Sequence, residues 1–146
     1  MQLASFYCAL NNNGEQITPH FLIRYLQADD DEQYSSNEII KNKQAVETMK
    51  NMLRTVVTDG TGKAANIEGY GVSGKTGTGQ IADSQGKYLE STYYISFCGM
   101  LTQASVPLVC YCGIDKQKGS EAGCGDMFKT IMQSAIERLR VIPKGE

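Results

Sequence analysis

Apolar residues recur at helical spacing in three stretches of the chain, and each stretch predicts an amphipathic helix. The first stretch stops at a polar cap over residues 11–14. The second predicts a helix over residues 43–57 that ends at residues 59–60, and the third predicts a C-terminal helix with Asp126 as its N-cap. The apolar positions are Leu3, Phe6, Tyr7 and Leu10, then Val46, Met49, Met52, Leu53, Val56 and Val57, and finally Met127, Phe128, Ile131, Met132, Ala135, Ile136 and Leu139.

Two β-rich runs lie between the second and third helices. Residues 93–101 and 106–114 flank the short link 102–105, which predicts an antiparallel hairpin. A further strand around Lys75 would be the third member of the same sheet. Residues 81–91 between that strand and the hairpin are polar, so we expect a loop there.

The region between the first two helices is less regular. Residues 21–26 follow Pro19 and predict a short extended piece, whereas residues 28–33 form an acidic, solvated loop. The whole pattern predicts one α+β unit over residues 1–146. In it, a three-stranded antiparallel sheet carries a packed C-terminal helix and is preceded by N-terminal helices.

Residues 69–80 match two incompatible functional signatures. The first is the phosphate-binding pattern G-x-x-x-x-G-K-(S/T), in which loop N–H groups cradle phosphates at the start of a helix. It is met by Gly69, Gly74, Lys75 and Thr76. The second is K-T-G, which penicillin-binding proteins and β-lactamases carry. It is met by Lys75, Thr76 and Gly77.

The flanks favour the second signature. Residues 60–68 contain Ile67 as their only large apolar residue, so no buried strand leads into a phosphate loop. Residues 77–86 would place two glycines in the first helical turn, each costing about 1 kcal/mol relative to alanine. The apolar run 108–114 ends in Asp115, which imitates the magnesium-binding strand of nucleotide enzymes, but a polar strand end is the simpler interpretation. Nucleotide binding is therefore the least favoured of the three functions considered for this chain.

As a strand, the K-T-G region has a clear chemistry. Thr76 and Thr78 would face one side of the strand, and Lys75 and Gly77 the other. Gly77 would let a peptide lie close along the strand and pair with its backbone. The two hydroxyls can bind a carboxylate, and Lys75 adds a positive charge that holds an anion or favours deprotonation of a neighbouring hydroxyl.

The longer sequence around this motif identifies a family more specifically than K-T-G alone. Residues 60–65 and 69–80 resemble the late part of the transpeptidase domain of class B penicillin-binding proteins, the cell-wall D,D-transpeptidases of cell division or elongation. Residues 1–14 are similar to a helix of that family that ends in an asparagine- and glycine-rich cap, and residues 18–23 to the extended segment that follows it. The resemblance continues in order to about Val141.

The resemblance implies acyl transfer without a cofactor, on a peptidoglycan stem peptide or a β-lactam. A serine attacks the D-Ala-D-Ala peptide and releases the last alanine, and an amine then resolves the acyl-enzyme. Lys75 and Thr78 would be the catalytic residues: Lys75 would hold the network around the serine of an S-x-N motif, and the Thr78 N–H would stabilise the oxyanion. Thr76, Gly77 and Thr78 would bind the substrate.

The nucleophilic S-x-x-K and the S-x-N of that family are expected upstream of this region. Ser84 and Lys87 have the first spacing but follow the K-T-G in a polar loop, and Ser35 and Asn37 have the second spacing but lie past the family position. We therefore expect a fragment that is inactive alone and that leaves sheet surface uncovered for self-association. A non-catalytic relic that binds a peptide or a partner is the second alternative.

Charge and composition exclude some classes of protein function. A net charge of −2 and a pI near 5.4 give no basic footprint for nucleic acid. No run approaches the roughly 20 apolar residues that span a membrane, so this chain alone would stay in the cytoplasm. The resembling enzymes are anchored by an N-terminal helix and work outside the inner membrane.

The cysteines predict buried apolar positions rather than a disulfide framework. Cys98, Cys110 and Cys112 lie in strand-like apolar runs, and free cysteine is often a small buried hydrophobe. One Cys-x-Cys and the single His20 do not make a zinc site, so we expect no metal. His20, beside a proline, is expected to pack or cap.

Overall fold

The computed structural model describes residues 1–22, 33–119 and 123–145. Helices and strands combine in the predicted α+β class. The elements are α1 (Gln2–Asn11), β1 (Glu15–Ile17), β2 (Ser36–Glu38), α2 (Lys43–Thr58), a 3-10 turn (Lys63–Ala65), β3 (Val72–Ala82), β4 (Tyr88–Leu101), β5 (Val109–Lys118) and α3 (Cys124–Leu139). The extended piece and the acidic loop predicted at 21–26 and 28–33 lie mostly outside the described residues.

The main sheet has the order β3-β4-β5, with both pairs antiparallel, so the predicted three-stranded sheet is confirmed. Residues directly opposite each other on neighbouring strands share a face of the sheet. Thr76 lies opposite Phe97, and Phe97 opposite Cys112. The next residues, Lys75, Cys98 and Tyr111, line the other face. We call these the α3 face and the α2 face, after the helices packed on them.

The α3 face holds the larger core. Phe97 and Phe128 are fully buried, and their rings meet edge to face with centroids 4.9 Å apart. Around them lie Val57, Ala65, Ile67, Val72, Ile95, Leu101, Cys112, Cys124 and Met132. Each fully buried large side chain contributes about 2 kcal/mol of hydrophobic stabilisation. The predicted packing of the C-terminal helix on the sheet is confirmed.

A smaller core lies on the α2 face. Its members come from α1, α2 and β4 and are Tyr7, Leu10, Val46, Leu53, Cys98 and Met100. Asn42 caps α2, since its side-chain oxygen accepts the Ala45 N–H at 3.1 Å. Among the described residues, these two helices pack on the sheet at the end of β4 that holds Cys98 and Met100.

The start of α3 differs from the prediction. Asp126 is not the N-cap, because the helix begins at Cys124 behind Gly123 and Asp126 lies in the first turn. The helix thus begins three residues earlier than predicted, and packing explains this: Cys124 is buried with its Sγ 3.5 Å from the Ile95 carbonyl oxygen, and Gly125 lies against Ala64. In the first turn the Asp126 carboxylate still interacts favourably with the helix dipole.

Both hairpins are longer than predicted. The loop expected over residues 81–91 covers only 83–87, because Asp83 Oδ1 accepts the Gln85 and Lys87 N–H groups at 2.8 and 3.0 Å and closes the turn tightly. Strand β5 does not end at Asp115 but continues to Lys118. It passes through a β-bulge in which Lys116 has a φ of 55°. The link before β5 extends over residues 102–108.

The short pair β1-β2 is an element that the sequence pattern did not predict. Its three residues on each strand are paired antiparallel, with Gln16 opposite Asn37. All six residues are at least partly exposed, so no apolar alternation marks them.

Candidate functional site

The K-T-G residues lie in the middle of β3, at an edge of the sheet. The backbone from Lys75 to Thr78 is extended and pairs on one side with β4, where Lys75 is opposite Cys98 and Thr78 opposite Ile95. No strand within the described ranges occupies the other edge. The phosphate-loop alternative is wrong, because β3 continues to Ala82 and no helix begins at Lys75.

The predicted alternation of side chains along this strand is confirmed by its register. Thr76 and Thr78 share the α3 face with Phe97 and Ile95. Unlike those two buried residues, Thr76 is partly exposed and Thr78 is exposed. Lys75 and Gly77 lie on the α2 face. A hydroxyl-bearing side and a cationic side thus border the same open edge.

A compact polar cluster surrounds Thr76. The Lys75 ammonium donates to the Thr76 carbonyl oxygen at 2.9 Å and approaches Thr76 Oγ1 at 3.3 Å. Thr61 Oγ1 lies 2.7 Å from Thr76 Oγ1. Lys75 is exposed and Thr76 is partly exposed, so a bound molecule can reach both groups.

Packing also explains why residue 77 is a glycine, in addition to the predicted room for a peptide beside the strand. A Cβ at this position would lie 2.6 Å from Ser96 Oγ on the opposite strand. Gly79 is less restricted, since its nearest neighbour would be the Tyr94 carbonyl oxygen at 3.9 Å. The missing side chain at Gly77 therefore makes room for the Ser96 hydroxyl on β4.

Helix α2 fixes the start of β3 through a residue that sequence reasoning missed. Arg54 Nη1 donates to the Val72 carbonyl oxygen at 2.9 Å and to Asn66 Oδ1 at 3.0 Å. Arg54 sits on an amphipathic helix, and nothing in its spacing singles it out. Thr61 was also missed as a site residue, although it belongs to the segment 60–65 that carries part of the resemblance.

The described residues leave the α2 face next to Gly77 with little cover. Tyr94 and Tyr111 lie there with their hydroxyl oxygens 3.0 Å apart, and 39% and 42% of their surfaces remain exposed. A Cβ at Gly113 would clash with the Tyr94 hydroxyl, so this glycine makes room for the tyrosine pair. An uncovered aromatic surface therefore adjoins the cationic side of the K-T-G strand.

The two segments with S-x-x-K and S-x-N spacing do not join this cluster. Ser84 and Lys87 lie in the exposed turn of the β3-β4 hairpin rather than on a helix. Ser35 precedes β2, and its Oγ lies 2.9 Å from Thr18 Oγ1. In the parts of the chain that the structure describes, neither pair is placed on β3 or on the strand beside it.

Cys98, Cys110 and Cys112 lie in strands, as predicted, whereas Cys8 lies in α1 and Cys124 in α3. Cys98 and Cys112 are buried, and burial raises the pKa of each thiol to about 12, which keeps both groups protonated and unreactive. Cys110 Sγ lies 3.7 Å from Cys112 Sγ. His20 stacks on Tyr34, with ring centroids 3.6 Å apart. The described residues contain no group of three or more potential metal ligands.

Comparison with known proteins decides the family. The family model described as "Penicillin binding protein transpeptidase domain" matches residues 1–133. The chain belongs to this family. The resemblance inferred from residues 60–65 and 69–80 is thereby confirmed.

Individual relatives agree with this assignment. Stage V sporulation protein D of Bacillus subtilis is 33% identical over 152 residues, which cover 98% of this chain and 23% of that protein. PbpB of Mycobacterium tuberculosis is 32% identical over 113 residues, which cover 70% of this chain and 17% of that protein. The crystal structure of penicillin-binding protein 3 from the same organism, complexed with ampicillin, has the same fold with a TM-score of 0.80 at 24% identity, covering 99% of this chain and 35% of that one.

The chain therefore spans about a quarter of the length of its sporulation relative and about a third of the solved structure. Among the residues whose placement is described, no helix combines the length and apolar character needed to cross a bilayer.

Proposed function

We propose that this chain is the portion of a penicillin-binding D,D-transpeptidase that carries the K-T-G substrate strand. The main support is the extended backbone from Lys75 to Thr78 on an open sheet edge. An extended peptide can add to such an edge through backbone hydrogen bonds. The Lys75 ammonium and the hydroxyls of Thr76 and Thr78 supply the charge and donors that a terminal carboxylate requires.

In the proposed reaction, this strand holds the substrate while a serine from another part of the domain attacks. The serine oxygen bonds to the carbonyl carbon of the penultimate D-Ala, the peptide bond to the last D-Ala breaks, and that residue leaves with a proton on its amine. An amine from a neighbouring stem peptide then displaces the serine. The Thr78 N–H stabilises the oxyanion, and Lys75 holds the second serine of the site.

The same strand would receive a β-lactam, whose carboxylate replaces that of the last D-Ala. The family relationship and the relative solved with ampicillin support this step. Alone, the chain would form no covalent adduct, because its S-x-x-K spacing at Ser84 lies in an exposed turn. We therefore expect no labelled band with a fluorescent penicillin. A band that survives denaturation would overturn this part of the proposal.

Substrate binding can be tested without catalysis. On titration of the labelled chain with N-acetyl-D-Ala-D-Ala, amide NMR shifts should concentrate in residues 75–79. Lys75→Met should weaken binding about tenfold, since it removes a charge-assisted hydrogen bond. Lys87→Met is the matched control at the hairpin turn and should bind like the wild type. Shifts confined to other parts of the chain would contradict the proposal.

The uncovered aromatic surface supports a second property, self-association of the isolated chain. Tyr94 and Tyr111 expose apolar area on the α2 face, where another part of a complete domain would pack. Sedimentation should show species larger than the monomer, and Tyr94→Ser with Tyr111→Ser should shift the population to monomer. A compact wild-type monomer with little dye binding would contradict this property.

A non-catalytic relic that only binds peptide is the alternative function. It would give the same NMR result, so the DNA upstream of Met1 discriminates: a reading frame encoding S-x-x-K and S-x-N supports the enzyme. In the enzyme case we place the complete protein at the outer face of the inner membrane, since its cell-wall substrate lies there.

A further inference from the structure

The hydroxyl pair between Thr61 and Thr76 links the substrate strand to a loop outside the K-T-G motif. Thr61 belongs to residues 59–62, which connect α2 to the 3-10 turn. Its Oγ1 lies 2.7 Å from Thr76 Oγ1, whereas the Lys75 ammonium lies 3.3 Å from the same oxygen. Thr76 therefore has two hydrogen-bonding neighbours before any ligand arrives.

The loop that carries Thr61 is held in place by its backbone. The Gly60 N–H donates to the Thr55 carbonyl oxygen at 3.1 Å, and the Gly62 N–H donates to the Val56 carbonyl oxygen at 2.9 Å. A Cβ at Gly62 would lie 3.2 Å from the buried Phe97 ring. Because the loop is fastened to both the end of α2 and the core, the position of Thr61 beside β3 is determined by the fold.

Counting protons shows what this contact can do. A threonine hydroxyl has one proton to donate and two lone pairs that accept. Lys75 can only donate, so it uses one lone pair of Thr76 Oγ1. If Thr61 also donates, both lone pairs are filled and the Thr76 proton is left for another acceptor. If Thr76 instead donates to Thr61, it has no proton for a ligand carboxylate.

We propose that Thr61 is a positioning residue that makes the Thr76 hydroxyl a donor toward the substrate carboxylate. This inference rests on the proposed function, because it requires a carboxylate at the open edge of β3. The carboxylate is an acceptor only, so its arrival selects the arrangement in which Thr61 donates to Thr76. Thr61 itself does not touch the ligand.

The test measures the affinity of the whole chain for N-acetyl-D-Ala-D-Ala by NMR titration. Thr61→Val removes the donor at similar volume and should weaken binding about three- to tenfold, the range expected for one neutral hydrogen bond. Thr61→Ser should restore the affinity to within about twofold. Thr61→Ala, measured in parallel, makes the same prediction with a side chain too small to clash in the loop.

A double-mutant cycle separates positioning from simple support of the loop. In a Thr76→Val background, Thr61→Val should cause no further loss of affinity, because the hydroxyl that it orients is gone. Thr58→Val is the matched control, since the Thr58 hydroxyl bonds to Asp59 Oδ2 at 2.7 Å at the same end of α2. It should leave the affinity unchanged.

The outcomes are distinguishable. Equal losses from Thr61→Val in both backgrounds, or no loss in either, would overturn the positioning role and leave the substrate strand intact. Absence of any binding by the wild-type chain would overturn the proposed function and the role of Thr61 with it.

Discussion

The guanidinium of Arg54 donates to the carbonyl oxygen of Val72 over 2.9 Å and thereby fixes the first residue of β3 to helix α2. The same nitrogen donates to Asn66 in the loop that leads into the strand. One side chain thus fixes both the start of β3 and the loop that precedes it.

Replacing this side chain should destabilise the fold at the start of β3. Arg54→Met leaves the Val72 carbonyl without its charged donor, so we expect the free energy of unfolding to fall by about 2 kcal/mol. Urea unfolding followed by circular dichroism measures this change. Arg138→Met, on the exposed last turn of α3, should change it by less than about 0.5 kcal/mol. Equal effects of the two changes would show that the Val72 contact contributes little.

A second prediction concerns the buried ring pair. Phe128→Ala empties a fully buried site against Phe97 and should cost about 4 kcal/mol of unfolding free energy. Met127→Ala is the neighbouring control, with a side chain that is 40% exposed, and should cost less than about 1 kcal/mol. Thermal and urea denaturation of both variants would test this difference, and similar losses would place the main core elsewhere.

A third prediction compares two glycines of the same strand. A Cβ at Gly74 would lie 2.5 Å from Phe97 Cζ and 2.6 Å from the Cys98 carbonyl oxygen, whereas Gly79 has nothing closer than 3.9 Å. Gly74→Ala should therefore destabilise the chain by about 1–3 kcal/mol through overpacking. Gly79→Ala should be neutral or slightly stabilising, because alanine restricts the unfolded chain more than glycine does. A destabilising effect confined to Gly79→Ala would contradict the register of β3.

The buried thiols predict a loss of stability in alkaline solution. Burial raises the pKa of Cys98 from its ordinary value of 9.0 to about 12, so between these pH values the unfolded thiol ionises while the folded thiol keeps its proton. The folded state then binds more protons, and the stability that is complete below pH 9 declines as the pH rises toward 12.

The slope of unfolding free energy against pH measures this effect. Cys98→Ala should remove up to about 1.4 kcal/mol per pH unit from the slope between pH 9 and 11, the limit for one proton. Comparing the stability of the Cys98→Ala variant with its own value at pH 7 separates the effect of titration from that of the cavity. An unchanged slope would mean that Cys98 ionises as readily in the folded chain as in the unfolded one.

The elements with a strong apolar period were predictable from sequence. Val46, Leu53 and Val57 of α2 and the second half of β4 are buried, so their burial is visible in the apolar spacing. Other predicted apolar positions, such as Leu3 and Phe6 of α1, are exposed. Lys75, Thr76 and Gly77 could be placed on a strand because their flanks cannot form a phosphate loop. The structure has that strand at the edge of the sheet.

The remaining features depend on contacts between distant residues. The bulge at Lys116 lets β5 run past Asp115 and breaks the alternation on which the prediction relied. The start of α3 is set by the packing of Cys124 and Gly125 rather than by Asp126. Arg54 and Thr61 contact partners 18 and 15 residues away in sequence, and no local pattern identifies such pairs.

The closeness of Gly77 to the Ser96 hydroxyl has an evolutionary consequence. A methyl group at 77 is tolerable only if the side chain across the ladder turns away or shortens, so these two positions should covary among descendants of this sequence. Lineages that keep serine at 96 should retain glycine at 77.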